Sequence, residues 1–163
     1  MKTLILVRHA KSDWSADGLP DFDRPLNERG KRDAPLMAAR LAEKIKKVDV
    51  IVASPAKRAA KTAKIFAEQF GISKEDILYK DELYLPAPAV FYSVIEKLDD
   101  RFEQVLLFSH NNGITDFANE LSNARIDNIP TCGIFAVQIA TDSWADFRQA
   151  KKTFLFVDYP KAK

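Results

Sequence analysis

The chain contains two histidines, and each follows an apolar run at the point where the run stops. His9 comes after Leu4-Ile5-Leu6-Val7 and stands beside Arg8; His110 comes after Val105-Leu106-Leu107-Phe108 and Ser109. A third run, Val48 to Val52, ends at Ser54-Pro55, with Arg58 close behind. In open α/β sheets ligands collect at the carboxyl ends of the strands. If the three runs are neighbouring strands, two arginines and both histidines meet in one crevice. Arg58 would then lie in the first turn of a helix, where free N–H groups and the helix dipole favour an anion. Two guanidinium forks beside a helix N-terminus suit a phosphate dianion. Taken singly, each residue has a bland reading as a scaffold histidine or a solvated helix charge; their coincidence at three run ends carries the argument.

Those residues need elements to hold them. Continuous rather than alternating hydrophobicity predicts strands covered on both faces, as in a parallel sheet. Met37, Leu41, Ile45 and Val48 mark one helix face between the first two runs. Its start is open between Asn27, which puts Pro35 in the interior, and Asp33 as N-cap, which puts Pro35 in the first turn. The next helix is expected to have Ser54 as N-cap and Pro55 at its first position, and to close at Gly71. Further helices are predicted from about Ala89 to Leu98 and from Asn112 to Leu121, with a short strand at Ile77 to Tyr79. Gly133 to Ile139 and Thr153 to Val157 have no helix between them, so they are expected to pair antiparallel at an edge. The whole predicts one α/β domain over residues 1–163, a three-layer α/β/α sandwich with a mainly parallel, mixed sheet. Its only rim segments, 10–26 and 80–88, are short, which implies a shallow, open pocket.

Composition narrows the function further. The chain has 163 residues, 47% hydrophobic and 29% charged, with 17 aromatics counted as 11 Phe, 4 Tyr and 2 Trp, which excludes a disordered chain. A net charge of +2 is too small for a nucleic-acid module, and Lys46-Lys47 and Lys151-Lys152 read as solvated surface. The Met1 to Val7 stretch is too short for a signal sequence and no run is long enough to span a membrane, so a cytoplasmic location is expected, with no membrane partner. One cysteine excludes an internal disulfide and a cysteine-rich zinc site. Two histidines fall short of a zinc set; Asp13 or Asp116 could extend it, but no ligand motif is present, so neither metal nor cofactor is expected. Cys132 is followed by Gly133-Ile134-Phe135-Ala136-Val137-Gln138, a strand rather than a phosphate cradle, which argues against a cysteine phosphatase. No G-x-x-x-x-G-K or G-x-G-x-x-G motif is present.

Four segments carry a resemblance. Leu6-Val7-Arg8-His9-Ala10-Lys11 resembles the signature of the histidine phosphatase superfamily, and Arg24-Pro25-Leu26-Asn27-Glu28-Arg29-Gly30 its linking Pro-Leu-x-x-x-Gly element. Ser54-Pro55-Ala56-Lys57-Arg58-Ala59-Ala60-Lys61-Thr62 is similar to its Ser-Pro-x-x-Arg-Ala-x-x-Thr block, and Ser109-His110-Asn111 to its late Ser-His block. The four come in the family's order, and the short chain is most similar to the SixA-like phosphohistidine phosphatases, within a phosphoglycerate mutase-like fold. The resemblance implies a hydrolase in which His9 becomes a phosphohistidine and Arg8, Arg58 and His110 surround the phosphoryl group. A neutral imidazole can attack phosphorus while fixed positive donors stabilise the equatorial oxygens. It further implies Ser15, Lys11 and Asn111 as substrate-binding candidates, with Lys11 departing from the Glu or Gln of the mutases. Glu82 is the candidate general acid, with Asp23 as the other. Protein phosphohistidine is the leading substrate. Small phosphate esters and a non-catalytic phosphate-binding module are the alternatives, and mutase activity is disfavoured because the chain lacks room for a large lid.

Overall fold

Apolar pairs that alternate between two faces organise the chain. The computed structural model describes residues 1–14 and 18–162. Its strands are β1 (Lys2–Arg8), β2 (Val50–Ala53), β3 (Leu78–Tyr79), β4 (Gln104–Ser109), β5 (Ile134–Ile139) and β6 (Lys152–Asp158). They form one sheet in the order β3-β2-β4-β1-β5-β6. Strands β1 to β4 run parallel, while β5 is antiparallel to both β1 and β6. The α/β fold class and the antiparallel edge expected from the sequence are both present.

Side chains point alternately to the two faces of a strand, so each covered strand feeds two cores. Ile5, Val7, Ile51, Leu106 and Phe108 pack with Met37 and Leu41 of α1 (Glu28–Lys44) and Phe66 of α2 (Lys57–Gln69). Leu4, Leu6, Val52 and Leu107 pack on the other side with Phe91 of α3 (Pro88–Glu96) and Phe117 of α4 (Gly113–Leu121). Trp144 and Phe147 extend that second core. The result is the three-layer sandwich.

One helix start resolves a boundary the sequence left open, and another differs from expectation. Helix α1 begins at Glu28, capped by the Asn27 side chain accepting from the Gly30 N–H at 2.8 Å, and it contains Pro35. Pro35 lies on the exposed side, so the carbonyl it leaves without an intrahelical partner is near solvent. Helix α2 begins at Lys57 with Ala56 at the cap, and Ser54 is not its N-cap. The Ser54 hydroxyl accepts from the Ala56 N–H at 3.2 Å and has a second partner in the site.

Candidate active site

Register brings the two histidines together. β1 and β4 are adjacent and parallel, with Arg8 opposite Ser109, so the residues that follow them emerge side by side. The His9 and His110 rings lie 5.2 Å apart between centroids. Arg58 reaches them from the first turn of α2: its Nε donates toward His9 Nε2 at 3.4 Å, and only 2% of the residue is exposed. Thr62, one turn further along α2, accepts from the Ala10 N–H at 3.0 Å and donates to the Arg58 carbonyl at 2.8 Å. That hydroxyl locks the loop after β1 onto the helix bearing Arg58. From the other side, the Cys132 N–H donates to the carbonyls of Arg8 and His9, each at 3.0 Å. The thiol itself is buried, and burial raises its pKa.

Hydrogen bonding sets the tautomer of His9 and the position of His110. His9 Nδ1 lies 2.8 Å from the Ala10 carbonyl, which can only accept, so Nδ1 carries the proton and Nε2 presents a lone pair. His110 Nε2 lies 2.8 Å from the Ser54 hydroxyl. That hydroxyl also accepts from the Ala56 N–H and keeps one donor and one further acceptor position for the ring, so the contact holds His110 in place and is compatible with either tautomer. Burial, with a further push from Arg58 and Arg8, holds the His9 pKa down at about 3. Burial likewise lowers His110 to about 3, followed by the neighbouring His9 and Arg58. Both imidazoles are therefore neutral at ordinary pH.

The same cluster holds two buried polar atoms with no partner among the described residues, Arg8 Nε and His110 Nδ1. A buried donor left unsatisfied costs about 1–3 kcal/mol. Arg8 is anchored elsewhere by Nη1, which donates to the Ile129 carbonyl at 2.9 Å. An anchored guanidinium with an unmet donor and a partnerless imidazole nitrogen, beside the His9 lone pair, suit a tetrahedral oxyanion.

Asp21 completes the cluster, and sequence reasoning missed it. It begins a 3-10 turn (Asp21–Asp23) whose backbone carbonyl accepts from Arg58 Nη1 at 2.7 Å. Its carboxylate accepts from Arg58 Nη2 at 3.0 Å, Arg24 Nε at 3.0 Å and the Tyr84 hydroxyl at 2.5 Å. Desolvation pushes that carboxyl upward, but the bonds from Tyr84, Arg58 and Arg24 outweigh it and pull the pKa to about 2. Tyr84 packs edge-on against His110 at 5.4 Å and against Phe22 at 5.1 Å. Arg24 donates to Ser12 at 2.7 Å and stacks over Trp14 at 3.5 Å. The one available signal was the Asp-x-x-Arg spacing of Asp21 and Arg24.

The remaining candidates are less central. Glu82 is exposed and lines a separate recess with Lys80, Lys97 and Arg101, so the structure does not bring it to His9. Its neighbour in the same turn is closer, since the Leu83 carbonyl accepts from Ser109 at 2.7 Å. Asp23 is exposed and lines a recess with Phe22 and Lys57, and no hydrogen bond joins it to the histidines among the described residues. The Asn111 amide is engaged with Asn128 at 2.5 Å and with Thr115. Lys11 is half-buried, and its carbonyl accepts from the Asn27 N–H at 3.0 Å. Ser15 lies outside the described residues. Among the described residues no group of three or more His, Cys, Asp or Glu is placed to hold a metal, and no helix is long and apolar enough to cross a membrane.

Comparison with known proteins places these features in company. Residues 4–83 match the family described as the histidine phosphatase superfamily (branch 1). An uncharacterised protein of Mycobacterium tuberculosis is 32% identical over 150 residues, spanning 86% of this chain and 90% of the relative. Phosphoserine phosphatase 1 of Hydrogenobacter thermophilus is 36% identical over 108 residues, 64% of this chain and 50% of the relative. Among solved structures, a protein from Agrobacterium tumefaciens assigned as the phosphohistidine phosphatase SixA superposes with a TM-score of 0.81 at 26% identity, covering 98% of both chains. The protein histidine phosphatase SixA complexed with tungstate shares the fold, at a TM-score of 0.79 and 20% identity over 97% of both chains.

Proposed function

We propose that this chain, which belongs to the histidine phosphatase superfamily, removes phosphate from phosphohistidine on proteins through a phosphohistidine formed on its own His9. The observation that carries the reading is the His9 ring: neutral, held by the Ala10 carbonyl, with its Nε2 lone pair facing Arg58.

In the first step His9 Nε2 forms a bond to phosphorus as the substrate's P–N bond breaks. The substrate imidazole takes the bonding electron pair and leaves neutral when its other ring nitrogen holds a proton. Arg58 Nε and Arg8 Nε supply donors to the equatorial oxygens, joined by His110 Nδ1 in the tautomer that carries its proton there, where charge is spread in a loose transition state. In the second step water attacks phosphorus, His9 leaves as a neutral imidazole still protonated on Nδ1, and the water proton ends on the released phosphate.

Neither step needs a carboxylic acid at the leaving atom. An ester does, because an alkoxide is a poor leaving group without a proton. Among the described residues the carboxylate in contact with the cluster is Asp21, and it is held ionised. This favours phosphoramidates over the esters of small metabolites as substrates.

Rapid quenching with labelled substrate tests the reading. A label on the protein that is lost in acid and kept in alkali is expected, and His9→Ala should abolish both label and turnover. Label that persists in the His9→Ala protein would overturn the assignment.

A further inference from the structure

A recess of about 550 Å³ opens beside the cluster, between the Asp21–Asp23 turn and α2. It starts one residue from Asp21, at Phe22, and one residue from Arg58, at Lys57. Phe22, Leu26 and Pro55 line it with apolar surface, and Lys31, Lys57, Lys61 and Lys64 line it with charge. Lys57, Lys61 and Lys64 stand at spacings of four and three, so they share one face of the helix. All four lysines are exposed. Lys31 pairs with Glu28 at 3.7 Å, while no ion pair joins Lys57, Lys61 or Lys64 to a described residue. Asp23 is the acid that lines the recess, against four cations.

A chain with a net charge of +2 has therefore placed a group of cations that outnumbers the described acids lining the same recess at one rim of its reaction centre. Such a cluster raises the local concentration of an oppositely charged partner and sets the orientation in which it docks. The apolar lining suits side chains of a polypeptide, and the exposure of the lysines leaves room for an extended segment rather than an enclosed small molecule.

We propose that this lysine-rimmed recess is a docking site for an acidic segment of the phosphohistidine-bearing protein. The proposal rests on the reading of the catalytic site for the nature of the scissile bond, and adds which protein substrates are preferred. Charge complementarity identifies the occupant: aspartates and glutamates near the phosphohistidine would pair with Lys57, Lys61 and Lys64 while the phosphoryl group faces His9.

Binding and turnover test this separately. The binding arm uses a fluorescent peptide with an unphosphorylated histidine flanked by glutamates, measured by anisotropy at low salt. Lys61→Glu with Lys64→Glu should weaken that complex by about tenfold or more, and raising the salt should remove most of the difference. The kinetic arm uses the same peptide phosphorylated on histidine by phosphoramidate, with p-nitrophenyl phosphate as the small substrate. The double variant should lose about tenfold in kcat/KM on the peptide and less than about twofold on the small ester, because a rim charge acts on encounter rather than chemistry. Equal losses on both substrates, or an unchanged peptide affinity, would overturn the docking site. Tripolyphosphate binding more tightly than the peptide, and sensitive to the same charge reversals, would overturn it in favour of a small polyanion. If the wild-type protein turns over neither substrate, the catalytic reading fails, and the anisotropy arm still decides the recess.

Discussion

Asp21 divides one carboxylate among Arg58, Arg24 and Tyr84, and its backbone carbonyl takes another Arg58 donor. With both terminal nitrogens of Arg58 held there, Nε is the group left to face His9. Asp21 therefore acts as a positioning residue, and it also sets a negative charge near an incoming phosphate. These two effects pull in opposite directions, which gives the residue a distinctive signature. In Asp21→Asn the guanidinium loses its fixed orientation, so kcat should fall about tenfold, or ~1.4 kcal/mol. Loss of the negative charge should leave inhibition by inorganic phosphate as strong as before, or stronger. Steady-state kinetics with phosphate as product inhibitor measures both. A kcat at the wild-type level, or a parallel weakening of phosphate binding, would remove Asp21 from this role. The meeting of Asp21 with Tyr84 was illegible in the sequence because 63 positions separate them and each sits at a short irregular turn, Asp21 in one and Tyr84 just after another. His9 and His110 were legible because buried strands end abruptly where their side chains begin.

At the scale of elements, α1 must sit against the loop that follows β1. Gly30 makes that approach: a Cβ there would stand 2.2 Å from the Lys11 carbonyl oxygen and 3.0 Å from its N. Those are backbone atoms, which cannot rotate away. Gly30→Ala should cost about 1–3 kcal/mol through overpacking, and because Lys11 lies two residues past His9, kcat/KM should fall as well. Thermal unfolding and kinetics on the same preparation would show it; a wild-type melting temperature would contradict the close approach. The strand order came only with the structure, but the helices, their layers and the antiparallel edge were read from apolar periodicity, which burial enforces. The two helix starts were not. Pro35 lies inside α1 because its defect faces outward, and Ser54 leaves the cap of α2 because its hydroxyl bonds His110. Local capping rules see neither the exposed side of a helix nor a partner 56 residues away.

Across the molecule, the sheet separates what stabilises from what reacts. At the amino ends of β1 and β4, opposite the histidines, Trp144 is fully buried, donates to the Phe102 carbonyl at 2.7 Å and lies under the Lys2 ammonium at 5.7 Å. Trp144→Phe removes the indole N–H, leaves that carbonyl without its donor and opens a small void. The expected loss is about 2 kcal/mol of stability, with kcat/KM unchanged well below the melting temperature. A denaturant titration together with kinetics separates the two quantities; a drop in kcat/KM without a drop in stability would show that the two ends of the sheet are coupled.

The atom proposed to take up phosphate is a ring nitrogen, and the one thiol in the chain is buried in the core with its pKa pushed upward, while its backbone N–H braces His9. Peroxide stops thiol-dependent phosphatases by carrying an exposed thiolate to the sulfenic acid and beyond. No such thiolate exists here. Dephosphorylation by this chain would therefore continue through an oxidative burst that silences thiolate-based enzymes.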